Sequence, residues 1–131
     1  MAGTIERIGS ARLPGGAETE AFVLDDGRGM AARVGTHGAR ILSLRVPDRD
    51  GAPVGVVLGH DRLEDWASGD AFMGATIGHC ANRIAGGRFE LDGRTHQVPV
   101  NKPPNALHGG PRASTRRLGA PSRRGTGRRW R

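Results

Sequence analysis

Apolar and polar positions alternate along the chain in short runs separated by turn residues, and no run keeps a helical period long enough for an amphipathic helix. Residues 88–91 (RFEL) alternate, Asp92-Gly93 follows, and residues 95–100 return as a second strand. Asp-Gly between two such runs predicts a tight β-hairpin, because the turn demands positive φ and glycine adopts it without steric cost. Residues 21–24 lead as a strand into the turn Asp25-Asp26-Gly27, and residues 29–34 return. Residues 39–46 (ARILSLRV) read as a further strand, ended by the turn at residues 47–51. The apolar run at residues 54–58 reads as a short buried strand. Asp61 to Trp66 fits one helical turn, with Asp61 as N-cap and Glu64 in a capping-box position, and Ser68-Gly69-Asp70 ends it. Residues 1–19 are weakly patterned apart from the turn Leu13-Pro14-Gly15-Gly16. Strands at short intervals with turns between them predict an all-β, antiparallel fold with little helix.

The 131 residues suffice for one modest core, and 22 glycines with an aromatic fraction of only 4% agree with a turn-rich β protein. One cysteine, Cys80, excludes an intrachain disulfide and fits a reducing compartment. No basic-then-apolar leader opens the chain and no apolar run is long enough for a bilayer, so the expectation is a cytoplasmic protein with no membrane partner. The net charge of +7 is not spread evenly: residues 1–112 hold 13 basic and 13 acidic side chains, while residues 113–131 hold seven arginines and no acid. The body therefore gives no reason to expect a nucleic-acid partner, and only the tail allows non-specific binding of one.

The chemistry concentrates in residues 74–110. Asn82-Arg83 lies just before the expected hairpin, and the cluster from Asn105 to His108 lies just after it, so the hairpin brings the two together. An Arg, two amides and a His on one surface suit a polyhydroxylated ligand: a planar fork of donors, mixed donor-acceptors and one group that titrates near neutrality. By pattern alone Arg83 reads first as a surface ion-pair partner, His108 as a loop histidine bonded to backbone, and Asn82 and Asn105 as caps of local turns. His37, His60, His79 and His96 show no metal-ligand spacing, which argues against a metal site. Cys80 is expected to be a buried small apolar side chain.

Three ordered stretches carry a resemblance: GHCANRI at residues 78–84, GRFELDG at 87–93 and NKPPNALHGG at 101–110. They are similar to the ANRI run, LDG turn and PN-x-LHGG run of the galactose mutarotase (aldose 1-epimerase) family, in the same order and at the same spacing. The likeness reaches upstream through residues 38–59 and covers roughly residues 20–112. His79 and Cys80 stand where the family more often has an Arg and a small apolar residue, and His96 stands near a place where it commonly has Tyr. The resemblance implies the N-terminal part of a large antiparallel β-sandwich, and interconversion of the α and β anomers of aldohexoses such as galactose or glucose without metal or organic cofactor. Arg83, Asn82, Asn105 and His108 would then bind the sugar, with His108 also acting in catalysis by stabilising charge near the reacting oxygens. The family's glutamate base and histidine acid belong to later motifs that this chain lacks, so the chain alone is expected to be inactive. A non-catalytic carbohydrate-binding module of the same fold is the alternative, and a nucleic-acid-binding protein acting through its tail is a third class.

The chain accordingly divides into a mutarotase-like portion, residues 1–112, and an Arg-rich tail, residues 113–131, expected to be disordered. The family usually continues Gly-Phe-Asp after this point, and Gly-Phe-Asp-Ala encoded as GGC TTC GAC GCG reads GCT TCG ACG CG one base later. That string begins Ala-Ser-Thr-Arg, as residues 113–116 do, so the tail reads as a frameshift product. A genuine basic arm is the rival reading.

Overall fold

The computed structural model describes residues 3–67, 72–113, 118 and 119. Five strands form an antiparallel sheet in chain order: β1 (Thr4–Arg12), β2 (Glu18–Asp25), β3 (Ala31–Gly35), β4 (Arg40–Pro47) and β5 (Pro53–Gly55). Two two-stranded ladders follow, one pairing β6 (Arg83–Ile84) with β9 (Ala106–Leu107), the other pairing β7 (Arg88–Leu91) with β8 (Arg94–Gln97). The helical pieces among the described residues are short 3-10 turns at Leu63–Ala67, Ala85–Gly87 and Gly110–Arg112. The all-β expectation holds, and the 21–24 and 29–34 pair is the β2–β3 hairpin.

The sequence reading needs four corrections here. β1 is a nine-residue strand within the stretch that looked unpatterned; TIERIGSAR does not alternate because both its faces are largely exposed and Ile8 sits in a bulge between Arg7 and Gly9. The 54–58 run is not a buried strand. β5 keeps only three residues at the sheet edge, and Val54, Val56 and Leu58 are exposed. The helical turn near Asp61 forms, as a 3-10 turn, but begins at Leu63 rather than directly after Asp61. Cys80 is exposed, on the loop before Asn82. The expected stop at Ser68-Gly69-Asp70 lies outside the described residues. So does most of the tail, residues 114–117 and 120–131. Within the tail, Leu118 forms an antiparallel bridge with His37, and the Gly119 N–H donates to the Thr36 carbonyl at 2.8 Å.

The two faces of the sheet differ. On one, Ala21 and Leu42 pack with Trp66 of the first 3-10 turn, joined by Leu63 and Met73. The other face carries two apolar cross-strand rows: Ile5, Leu24, Ala32 and Leu44 in one, Phe22, Val34 and Ile41 in the next. Directly opposed residues share a face and each row reinforces its neighbour. Yet Ile5, Leu24 and Ile41 stay exposed, because no described segment covers this side. The irregularity in β4 opposite Arg33 and Val34 explains how Ile41 and Leu44, an odd number of residues apart, fall on the same face.

At the end of the sheet near the β3–β4 turn lies a polar knot. Thr19 is fully buried, its hydroxyl accepts the His37 N–H at 3.2 Å, and the Thr36 hydroxyl accepts the Glu20 N–H at 2.9 Å. His37 Nδ1 and Arg40 Nε are buried without a hydrogen-bond partner among the described residues. Burial, and secondarily the Arg40 charge, hold the His37 imidazole below its ordinary pKa of 6.5. The folded state therefore keeps His37 neutral where the unfolded chain already binds a proton. Stability from this group is full above about pH 6.5 and declines as pH falls below it, levelling once the folded form also titrates. His37→Gln is expected to flatten the pH dependence of the urea midpoint between roughly pH 7 and 5. A slope equal to that of the wild type would remove His37 as its source.

Candidate functional site

The site is built by two nested ladders. The inner hairpin turns at Asp92 (φ 51°) and Gly93 (φ 71°), both left-handed as a type I′ turn requires. The outer ladder pairs Arg83 with Leu107 and Ile84 with Ala106, so the two polar clusters lie directly across from each other. Asn101 secures the outer strand by clamping Leu107 on both sides: its Oδ1 accepts the Leu107 N–H at 2.7 Å and its Nδ2 donates to the Leu107 carbonyl at 3.0 Å. Between them, Lys102 and Asn105 exchange backbone hydrogen bonds around Pro103-Pro104.

The pairing continues beyond the ladder. The His108 N–H donates to the Asn82 carbonyl at 2.9 Å, and the Asn82 N–H donates to His108 Nδ1 at 3.1 Å. A backbone donor aimed at Nδ1 requires that nitrogen to be unprotonated, so the neutral imidazole carries its proton on Nε2. Beside it the exposed Arg83 donates from Nη1 to Asn82 Oδ1 at 3.2 Å. Gly109, with φ 83°, allows this strand to approach the 78–79 segment; a methyl there would stand 2.5 Å from the Gly78 carbonyl oxygen. Phe72 meets the His108 ring edge-on, with centroids 4.7 Å apart at 64°.

Asn82 and Arg83 thus lie exposed beside the half-buried His108. Asn105 lies at the side of the outer ladder, its Oδ1 accepting the Gly86 N–H at 3.3 Å, with its amide nitrogen unpartnered among the described residues. Of the other four histidines, three are dispersed, His60 against Trp66, His96 stacked on Phe89 and His37 at the far end of the sheet, while His79 lies on the segment that Gly109 approaches. No group of three His, Cys, Asp or Glu that could hold a metal occurs among the described residues. Two contributors escaped the sequence reading. Asn101 was visible as the polar residue opening the Pro-Pro run, but its clamp depends on the loop's fold. Phe72 gave no signal, since FMGATIG has no strand period and its partner lies far along the chain.

Comparison with known proteins gives a consistent picture. The family model described as aldose 1-epimerase matches residues 20–122, ten residues into the Arg-rich segment. A galactose mutarotase of Rattus norvegicus is 38% identical over 119 residues, covering 90% of this chain and 34% of the relative. An aldose 1-epimerase of Escherichia coli is 36% identical over 107 residues, covering 82% of this chain and 31% of the relative. Among solved structures, the galactose 1-epimerase from Lactobacillus acidophilus superposes with a TM-score of 0.72 at 24% identity, over 89% of this chain and 33% of that one. An aldose epimerase homologue from C. elegans gives 0.64 at 27%, covering 89% and 31%. The fold is that of the galactose epimerase and mutarotase β-sandwiches, in which this chain supplies an antiparallel sheet and a polar loop surface. The chain belongs to the aldose 1-epimerase family, and it spans about a third of the length of the relatives it matches. No helix among the described residues is long and apolar enough to cross a membrane.

Proposed function

We propose that Arg83, Asn82, Asn105 and His108 hold a free aldohexose such as galactose or glucose for interconversion of its anomers. The observation that carries this reading is the reciprocal Asn82–His108 pair, which leaves His108 Nε2–H without a partner among the described residues, next to the exposed Arg83 fork. In anomer exchange a base takes the proton of the anomeric hydroxyl, an acid protonates the ring oxygen, and the C1–ring oxygen bond breaks to give the open aldehyde. Rotation about C1–C2 and the reverse steps deliver the other anomer. His108 Nε2–H donates to a sugar oxygen near this centre, where negative charge develops, and Arg83 fixes hydroxyls through its planar fork. The proton acceptor at O1 and the donor at the ring oxygen come, in this reading, from the family length outside this chain. A binding module without chemistry would use the same four residues and differ only in turnover.

Binding is tested by titrating the ¹⁵N-labelled chain with D-galactose. The amides of Asn82, Arg83 and His108 should shift together, and Arg83→Ala should weaken binding about tenfold or more, the worth of hydrogen bonds from a charged donor. Amides that stay in place while the chain remains folded would reject the reading.

A further inference from the structure

Three non-glycine residues with left-handed backbone meet at one point: Phe72 (φ 51°), Asn82 (φ 60°) and His108 (φ 51°). A residue with a side chain holds this conformation only where its surroundings enforce it, and such residues concentrate at functional sites. Asn82 and His108 enforce each other through their two hydrogen bonds. Phe72 is enforced from the opposite direction, by the five-stranded sheet. The segment after it runs against the start of β4. The Ile41 N–H donates to the Gly74 carbonyl at 2.8 Å, the Thr76 hydroxyl to the Ala39 carbonyl at 2.7 Å, and Arg40 Nη1 to the Met73 carbonyl at 3.4 Å. The half-buried Met73 packs against the core of Ala21, Leu42 and Trp66. Any side chain at Gly74 would overlap the Ile41 carbonyl oxygen, so this approach requires glycine. The Ala75 N–H donates back to the Phe72 carbonyl at 3.1 Å and closes the turn.

We propose that Phe72 is a positioning residue for His108. Its ring edge fixes the imidazole plane so that Nδ1 receives the Asn82 N–H and Nε2–H is presented to the ligand. Through Met73 and Gly74 it ties that orientation to the sheet. Without the ring, the imidazole regains rotamer freedom, the Asn82 N–H loses its acceptor, and the two neutral tautomers mix. The inference rests on the sugar reading only for its effect on affinity.

The test is ¹⁵N NMR of the His108 imidazole in the chain as it stands. Wild type should show the proton on Nε2. In Phe72→Ala the shifts of the two ring nitrogens should converge and the Asn82 amide should move, with galactose affinity falling about two- to tenfold, the worth of an aromatic pair. Phe72→Leu, which keeps volume without the ring and guards against simple unfolding of the alanine variant, should behave likewise. Phe72→Tyr should restore the wild-type pattern. Phe89→Ala, which removes the ring stacked on His96, should leave His108 unchanged. A wild-type proton on Nδ1, or an unaltered His108 pattern in Phe72→Ala and Phe72→Leu, overturns the proposal. An unaltered pattern with weakened sugar binding also overturns it, since Phe72 would then touch the ligand itself. Lost orientation with unaltered galactose binding upholds the proposal and counts against the sugar reading instead.

Discussion

Freshly dissolved α-D-galactose should mutarotate at the buffer rate in the presence of this 131-residue chain, and much faster with a polypeptide joining residues 1–112 to the remaining two-thirds of the rat galactose mutarotase. His108→Ala in the longer form should lower its rate by about a hundred- to a thousandfold, the usual loss for one donor aimed at developing negative charge. The reason for the contrast is stoichiometric in protons. The guanidinium of Arg83 offers only donors, and the amides of Asn82 and Asn105 serve as hydrogen-bond donors and acceptors. His108 has Nδ1 engaged by the Asn82 N–H, which leaves one nitrogen for the sugar. Such a set stabilises a charge but does not both accept a proton at O1 and deliver one at the ring oxygen. A missing acid or base costs on the order of a hundred- to ten-thousandfold each. Polarimetry is the measurement. Acceleration by the short chain that disappears in His108→Ala would show that residues 1–112 already contain a working acid-base pair.

Trp66→Ala should remove about 3–5 kcal/mol of stability, enough to unfold the sheet. Trp66 is 3% exposed and is the largest member of the small core, packed on Ala21 and Leu42. Its indole N–H also donates to the His60 carbonyl at 3.1 Å, and a methyl at Gly59 would overlap its six-membered ring, so the loop has been shaped around it. Few other buried side chains among the described residues share the load, because no described segment covers the second sheet face. Trp66→Phe keeps most of the volume but leaves the His60 carbonyl unpaired, and should cost about 1–3 kcal/mol. Urea unfolding followed by far-ultraviolet circular dichroism separates the variants. A Trp66→Ala midpoint near that of the wild type would mean that the core lies elsewhere.

The two ends of the site were legible because their determinants are local. Asp92-Gly93 dictates a turn with two left-handed residues whatever surrounds it, and a hairpin necessarily returns the chain near its start. The juxtaposition of Asn82-Arg83 with His108 follows from those facts. What local rules do not convey is which atoms meet. The Asn82 N–H reaching Nδ1, the Asn101 clamp and the Phe72 edge contact depend on segments 6 to 36 positions apart in sequence settling against one another.

The sequence by itself determined the strand-and-turn grammar, the all-β class, the hairpin, and family membership, since these reside in short-range patterns and ordered motifs. Burial was decided only by the tertiary structure. Residues 54–58 look like a core strand but lie at an edge, because apolar character states a preference and not whether another segment arrives to satisfy it. Cys80 is exposed for the same reason. Ile41 and Leu44, three apart yet on one face, show the point most sharply. A period of two assigns a side chain to one of two faces, and one extra residue in β4 opposite Arg33 and Val34 moves every later assignment across the sheet. Such a bulge is a property of the pairing between two strands, and neither strand's sequence carries it alone.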